Sequence, residues 1–472
     1  MNHRFNFEAQ KYESAALVSS GKLGCTIHKL NFTIRRLLAS ALTTTSLALS
    51  AACPAHSAPL YVATDLGLLN SDDQFSQGFG INNYGQVAGF SLNSQAVPHV
   101  FLWTPAAANG VTGAMRDLGL CASGFDGGFK LNSYGQLQFN RGVSTPSFGV
   151  QSQAFLWTPS APNTTVGSAV NLLTLNGADG ASYGYGLNDN GSVVGSSYPG
   201  PCFIWTPVSP NAMTGTMTDF GNRSSSGVAF AVNNSGQVAG SIGVTYFSYP
   251  IVHTSLSPYT SNDIIGPGPR VDQNDQSYSG TGYAINAAGH VAGDAVFPNP
   301  NSLRPFLFTG GGNLTDFAAD GHAAGINTRD QIVGDVNNNA FLYANGTNYN
   351  LLSLLDPSAG WNQLVNARAI NDGGQIVGYG SRNGDLRAYL LTPIELVLRI
   401  TAIAREGDSI RLTWQTIGGT TNQIQVANNS FSFTNLGSSL IINGAGVSLT
   451  NSVDLGGATN AQARYYRISL LR

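Results

Sequence analysis

Short runs in which apolar and polar residues alternate fill most of this chain, and turn residues separate them. The stretch INAAGHVAGD, which begins at Ile285, is typical: Ala284 and Ile285 precede an Asn-to-Gly turn, and Val291 follows it. A period of two residues indicates strands, and Asn and Gly at the break favour a tight turn. The pattern therefore predicts a β-hairpin.

This hairpin recurs seven times, at spacings of 41 to 56 residues, a period typical of propeller blades and similar units. Glycine follows the first turn residue by three positions in six copies, and Asp330 takes its place in the other. The first turn residue is always asparagine: Asn82, Asn132, Asn188, Asn233, Asn286, Asn327 and Asn371. We expect the asparagine side chain to cap the turn amides, and glycine or Asp330 to take a positive φ.

Two further apolar runs follow each of the first six hairpins, and one follows the seventh. The first repeat has VFLWTP (Val100 to Pro105) and then MRDLGL from Met115. The fourth repeat has only weak versions, PIVHTS from Pro250 and NDIIG from Asn262. Four strands per repeat predict a twisted antiparallel sheet, which must stack on neighbouring sheets to cover its apolar face.

The two ends of the repeat array are complementary. YVATDLGLL (Tyr61–Leu69) resembles a fourth strand that lacks the first three, and the last repeat ends at Pro393 without a fourth. If the first segment completes the last sheet, the array closes without exposed edges, whereas an open solenoid would need polar capping repeats. Residues 59–393 are therefore predicted to form a seven-bladed β-propeller with four-stranded blades, closed by the N-terminal strand.

The pattern changes beyond Pro393. Residues 394–472 alternate over about six short strands, which predicts a small β-sandwich. We expect Trp414 and the pair Tyr465–Tyr466 to supply its core.

Residues 1–58 differ in composition from the rest. They carry six basic and two acidic residues, and Arg35 and Arg36 precede a short apolar run with small residues after it. This is the layout of a secretory signal peptide, with cleavage expected after Ala55 or Ser57. The sequence SAAC ending at Cys53 leaves a lipid-anchored product as an alternative. The exported body then retains Cys121 and Cys202, for which a disulfide is permitted but not implied.

Net charge excludes several classes of function. Beyond residue 58 the chain has 16 basic and 23 acidic residues, and Lys130 is its only lysine. A mildly acidic, lysine-poor body is a poor partner for nucleic acid or an anionic membrane. We therefore expect neither partner, and no segment from the repeats to the C-terminus is apolar and long enough to cross a membrane.

Two resemblances accompany these patterns. AINDGGQIVGYG, RAYLLTP and TDLGLL resemble the HAF-type repeats of bacterial exported proteins, over about residues 61–393. That likeness implies export and assigns no chemistry. LTWQT and RYYRISL in the tail resemble fibronectin type III-like modules of bacterial secreted proteins.

Candidate chemistry is sparse. The histidines beyond the leader are His99, His253, His290 and His322, and none belongs to a zinc-binding HExxH sequence. Asp294 and Asp335 follow the glycine that ends the second strand in two adjacent repeats, so they are expected in one sector, where two carboxylates could bind a cation such as calcium or act on a sugar. Solvated turn aspartates are the commoner explanation, and we favour it.

Trp103, Trp157 and Trp205 recur at one position of the third strand, which favours packing between sheets over stacking on sugars. The resulting hypothesis is an exported, non-catalytic, monomeric scaffold without a cofactor, which binds a protein or glycan outside the cell. The alternatives are a propeller enzyme, hydrolase or lyase, acting on extracellular polysaccharide, and a lipid-anchored adhesin. An enzyme would be distinguished by acids and bases that converge and break the repeat symmetry.

Overall fold

A computed structural model shows an all-β protein in which most strands belong to antiparallel sheets of three or four strands. No α-helix occurs in the described residues, which include two short 3₁₀ helices, Leu351–Leu354 and Pro357–Ala359. No helix in the described part is long and apolar enough to cross a membrane. The structure describes residues 61–121, 128–198, 200–219, 227–244, 247–253, 280–298, 301–310, 314–317, 319–394, 399–417, 421–428, 432–442, 447–459 and 464–471.

Each repeat forms its own sheet, with the strands paired in chain order. Sheets 1 to 3 contain β2 to β5 (Phe75–Ile81, Val87–Leu92, Pro98–Pro105, Gly113–Leu120), β6 to β9 (Lys130–Leu131, Leu137–Thr145, Gly149–Pro159, Gly167–Asn171) and β10 to β13 (Ala181–Leu187, Val193–Tyr198, Cys202–Pro207, Gly215–Asp219). Sheets 4 to 6 contain β14 to β16 (Gly227–Val232, Val238–Val244, Phe247–His253), β17 to β20 (Gly280–Ile285, Val291–Pro298, Asn301–Phe308, Leu314–Asp316) and β21 to β24 (Gly321–Ile326, Ile332–Val336, Asn339–Ala344, Thr347–Asn350).

Sheet 7 joins the two ends of the repeat region. Its first three strands are β25 to β27 (Trp361–Ile370, Ile376–Arg382, Asp385–Pro393), and its fourth is β1 (Tyr61–Gly67). β1 runs antiparallel to β27, with Tyr61 opposite Pro393, and Arg382 makes an ion pair of 3.0 Å with Asp65. The predicted pairing of the first segment with the last repeat is confirmed.

The repeated asparagines explain why the hairpin sequence recurs. In each turn the Asn Oδ1 accepts backbone N–H bonds from within the turn, as Asn82 does from Tyr84 and Gln86 at 3.1 and 2.9 Å. The Nδ2 group donates to the backbone carbonyl of the next repeat's asparagine, at 3.0 to 3.1 Å in all seven. The seventh, Asn371, donates to Asn82, so the series returns to its start. Asp330 takes the expected left-handed conformation, with φ 56°.

The interior of the repeat region consists of apolar clusters that join neighbouring sheets. Trp103, Trp157 and Trp205 are 3 to 4% exposed and belong to these clusters. Each indole lies against a glycine on the next strand, diagonal to it in the register; a Cβ on Gly215 would stand 2.4 Å from Trp205 Cζ2. The tryptophans pack within the protein, as predicted.

The segment beyond the repeats forms two smaller sheets around a core of its own. One contains β28, β29 and β33 (Arg399–Glu406, Ser409–Ile417, Val447–Asp454), and the other contains β30, β31, β32 and β34 (Thr421–Ala427, Thr434–Asn435, Leu440–Ile441, Tyr465–Leu471). Trp414 is fully buried, and Tyr466 packs against its cluster. Tyr465 is exposed instead, because successive side chains of a strand point to opposite faces.

Some predictions lie outside the described residues, namely the signal peptide with Cys53 and the strand NDIIG from Asn262. One predicted strand is shorter than expected: NYNLLSLL stays extended only to Asn350, whose side chain caps the 3₁₀ helix Leu351–Leu354. Cys121 and Cys202 form no disulfide.

Candidate functional site

The first strand contains a β-bulge, with one extra residue, in six of the seven sheets; the two paired residues of β6 in sheet 2 show none. In sheets 5, 6 and 7 the pairing register shifts around Tyr283, Ala324 and Arg368, each three positions before the repeat's asparagine. A bulged residue has no partner opposite it and turns away from the pleat of its neighbours. In these three sheets the bulge thus places the equivalent residue of each repeat at the same point of its strand.

Glycine in the second strand permits this geometry. A Cβ on Gly293 would stand 2.0 Å from the Thr281 carbonyl oxygen, and one on Gly334 would stand 1.9 Å from that of His322. Only glycine allows such a close backbone approach. Asp294 and Asp335 directly follow these glycines and lie opposite Thr281 and His322.

His322 and Asp294 form the centre of the site, although they belong to different sheets. His322 Nδ1 is in hydrogen-bond contact with Asp294 Oδ2. The Asp294 side chain is buried, whereas 52% of the His322 side chain is exposed. The contact with Asp294 raises the pKa of His322, and burial raises the pKa of Asp294. The imidazole is the member of the pair that faces solvent.

Asp335 repeats this arrangement one sheet further on. Asn366 Nδ2 donates to Asp335 Oδ1 at 2.6 Å, and Asp335 is 9% exposed. Burial raises the pKa of Asp335, while the charges of His322 and Arg368 oppose that shift. Asp294 and Asp335 are therefore buried strand residues, each with a neutral or cationic side-chain partner, and the favoured explanation as solvated turn aspartates is wrong.

Arg368 supplies the positive charge of the site. Its guanidinium lies 5.2 Å from the ring centre of Phe79 and 5.6 Å from that of Tyr379, and its charge also acts on His322 and Asp335. Its Nε is buried without a hydrogen-bond partner in the described structure. A guanidinium held against aromatic faces keeps its planar donors available for a carboxylate.

Tyr283 and Lys130 complete the set of ionisable groups. Burial, followed by the Asp294 charge, raises the pKa of Tyr283 to about 12, so its hydroxyl stays protonated. Burial and the Arg368 charge lower the pKa of Lys130 to about 8. Tyr283 thus keeps its proton, under the influence of the Asp294 charge.

The remaining predicted residues lie elsewhere. His290 contacts Asp330 at 2.8 Å in a turn, and His99 contacts Asp117 at 3.0 Å on outer strands of sheet 1. Within the described residues, no group of three or more His, Cys, Asp or Glu is arranged to hold a metal ion. Cation binding by Asp294 and Asp335 stays a prediction.

Sequence reasoning missed His322, Arg368 and Tyr283. A signal was available, because these residues occupy fixed positions before the repeat asparagine: His322 stands five positions before Asn327, and Tyr283 and Arg368 stand three before theirs. Three positions before the asparagine five of the seven residues are aromatic, so an arginine there breaks the repeat pattern, whereas the residues five positions before it are mixed and a histidine does not stand out. The spacing of histidines along the chain could not reveal it, since the partners come from different repeats.

Comparisons with known proteins add a structural likeness. No protein-family model matches the chain, and no curated protein matches it. Among solved structures, the chain is similar to a polysaccharide lyase of family PL25, an ulvan lyase bound to -[GlcA(1-4)Rha3S]-, with a TM-score of 0.39 and 12% identity over 72% of this chain and 97% of that one. A likeness of this degree carries no argument about the site.

The function predicted from sequence nevertheless needs correction. The solved structure to which the chain is similar is that of an enzyme, which differs from the predicted non-catalytic scaffold and from the prediction that the chain is no enzyme. The convergence of acids and bases, which was to distinguish an enzyme, is also present: His322, Asp294 and Arg368 come together from three sheets.

Proposed function

We propose that the seven sheets are the blades of a closed β-propeller and that residues 394–472 form a β-sandwich. Two observations support closure: β1 pairs with β27, and Asn371 donates to Asn82. The two sheets around Trp414 support the sandwich. Export, likeness to HAF-type repeats and a monomeric state remain predictions of the sequence.

Within this fold the chain is proposed to be a lyase that cleaves a uronate-containing polysaccharide. The observation that carries the proposal is the exposed His322 imidazole, held by the buried Asp294 carboxylate and placed near the Arg368 guanidinium. A base, an orienting carboxylate and a fixed cation are the groups that proton abstraction next to a carboxylate needs.

The chemistry follows from these positions. Arg368 binds the uronate carboxylate and stabilises the negative charge that develops when the neighbouring C5 proton leaves. His322 takes that proton, and its electron pair forms the C4–C5 double bond while the C4–O4 bond breaks. Tyr283, protonated at neutral pH, donates a proton to the departing oxygen. One proton leaves C5 and one is added to O4, and the electron pair of the C–H bond becomes the double bond, so the reaction needs neither water nor an oxidant.

A hydrolase is the less suitable alternative for this site. Hydrolysis of a glycosidic bond commonly uses two carboxyl groups that face the bond from either side. Asp294 and Asp335 are 2% and 9% exposed, and both are engaged with side chains of the next sheet. The exposed reactive group is a histidine instead, which favours elimination.

The test is incubation of the purified protein with a panel of polysaccharides: alginate, polygalacturonate, hyaluronan, heparin and ulvan. A lyase produces an unsaturated uronate, seen as new ultraviolet absorbance, whereas a hydrolase produces reducing ends without it. His322→Ala is expected to lower turnover by about 10²- to 10⁴-fold. His99→Ala removes another His–Asp pair, remote from the site, and should leave turnover unchanged. Absence of ultraviolet product from every polymer would contradict the proposal.

A further inference from the structure

The inner bulge position is bulky in all repeats but one. The residue three positions before the asparagine is Phe79, Phe129, Tyr185, Phe230, Tyr283, Ala324 and Arg368 in repeat order. Six of these side chains are aromatic or a guanidinium. Ala324 alone ends at a methyl group.

The bulky members touch one another from sheet to sheet. The ring centres lie 5.4 Å apart for Phe79 and Phe129, 5.0 Å for Tyr185 and Phe230, and 5.1 Å for Phe230 and Tyr283. The Arg368 guanidinium continues the series by lying over Phe79. At these distances the side chains fill the inner surface wherever they meet.

Ala324 interrupts this series at the site. It lies between the repeats that contribute Tyr283 and Arg368, and it is on the same strand as His322, two residues further along. Ala324 is partly exposed. A bulky side chain is therefore absent from the repeat between those of the proposed proton donor and the proposed carboxylate ligand, on the strand of the proposed base.

We propose that Ala324 determines specificity by leaving room for one sugar ring of the polymer, the uronate whose C5 proton His322 removes. Tyr283 offers an aromatic edge on one side of this space, and Arg368 offers a planar cation on the other. The ring of a pyranose has apolar C–H faces suited to an aromatic neighbour, and its carboxylate is suited to the guanidinium. The inference rests on the proposed lyase function and deepens it.

The same geometry explains why the positions of Phe79 and Phe129 are not substrate sites. Phe79 and Phe129 are 5% and 6% exposed, so their neighbours already cover them. A sugar ring could enter there only by displacing a packed aromatic side chain, which is costly in a close-packed interior.

The experiment compares Ala324→Phe with Ala324→Ser on the polymer that the wild-type protein cleaves best. Phenylalanine restores the bulk found in the other repeats and is expected to lower kcat/KM by at least about a hundredfold, since the ring cannot reach the base. Serine is expected to keep kcat/KM within about threefold. For any residual activity of Ala324→Phe, the acid limb of the kcat/KM profile should have the same midpoint as in the wild type, because the His322–Asp294 contact is intact. Unfolding temperatures of both variants check the fold, and Ala324→Leu replaces the Phe variant if that one fails to fold.

The outcomes separate the two proposals. If the wild-type protein cleaves a polymer and the bulky variant, Ala324→Phe or its replacement Ala324→Leu, cleaves it equally well, the Ala324 inference is overturned while the lyase function stands. If the wild-type protein produces no unsaturated product from any polymer, the lyase function fails and the inference falls with it. If Ala324→Phe loses cleavage of the polymer and Ala324→Ser retains it, the result supports both the lyase function and the Ala324 inference.

Discussion

Asn371 donates a hydrogen bond from Nδ2 to the backbone oxygen of Asn82 at 3.0 Å, across 289 residues of sequence. It is one of seven equivalent bonds, each of which ties the turn of one repeat to the turn of the next. Asn371 Oδ1 also accepts from Gln375 N at 2.8 Å, so one amide both shapes its own turn and joins it to a neighbour. The asparagine is required because no other small side chain has both a donor and an acceptor in this planar arrangement.

Asn371→Ala should lower the free energy of unfolding by about 1–3 kcal/mol for each buried polar group left without a partner. Asn371→Asp keeps the acceptor that caps the turn and replaces the donor by a second oxygen facing the Asn82 carbonyl. At neutral pH, Asn371→Asp should therefore lower the free energy of unfolding at least as much as Asn371→Ala does. Chemical denaturation measures both, and Asn348→Ala at an exposed position is the control. If Asn371→Asp were as stable as the wild type, the bond to Asn82 would have no energetic role.

The pH dependence of turnover should report on His322. The imidazole must be neutral to accept a proton, so activity should rise with pH through its pKa, which the Asp294 contact holds above the ordinary value. Asp294→Asn removes the largest cause of that shift, and burial then acts in the opposite direction. We expect the acid limb of the kcat/KM profile to move to lower pH in this variant, with a lower maximum because the imidazole is less well oriented.

His99→Gln, which changes a remote His–Asp pair, should leave the acid limb in place. An Asp294→Asn profile that superimposes on the wild-type profile after scaling would show that another group titrates.

Trp205→Ala should affect stability and leave substrate recognition intact. The indole is 4% exposed and packs between sheets, so its removal is expected to cost about 3–5 kcal/mol. Below its unfolding temperature the variant should bind the polymer as the wild type does. Tyr198→Ala is the matched control, because that aromatic ring is 68% exposed. If the folded Trp205→Ala variant binds the polymer more weakly than the wild type, the tryptophans would contact sugar as well as pack between sheets.

Cation binding by Asp294 and Asp335 is tested by melting curves with and without calcium. If the two carboxylates bind the ion, calcium should raise the unfolding temperature of the wild type and leave that of Asp294→Ala unchanged. Superimposable wild-type curves would contradict the cation prediction and leave the carboxylates as partners of His322 and Asn366.

The regular part of the fold was predictable because it depends on local sequence. Alternation and the Asn-to-Gly turns gave the hairpins, and the position of Tyr61–Leu69 gave the pairing with β27. The site was only half predictable. Asp294 and Asp335 stood out by following a glycine at the end of a strand, but their partner His322 is supplied by the neighbouring sheet.

The bulges explain why the rest escaped sequence reasoning. A single extra residue in a strand changes which side chains share a face, and the period-two pattern gives no sign of it. Tyr283 and Arg368 therefore look like ordinary strand residues in the sequence. Only alignment of all seven repeats at the asparagine shows that these positions form one surface.

The pairing of β1 with β27 has a consequence for the order of assembly. The ribosome makes Tyr61–Gly67 early and Asp385–Pro393 more than three hundred residues later, so β1 has no partner while six sheets are being made. Bringing together such distant segments carries the largest chain-entropy cost in the repeat region, which makes their docking a late, slow event. During refolding, the amide protons of β27 that face β1 should gain protection from exchange after those within sheets 1 to 6.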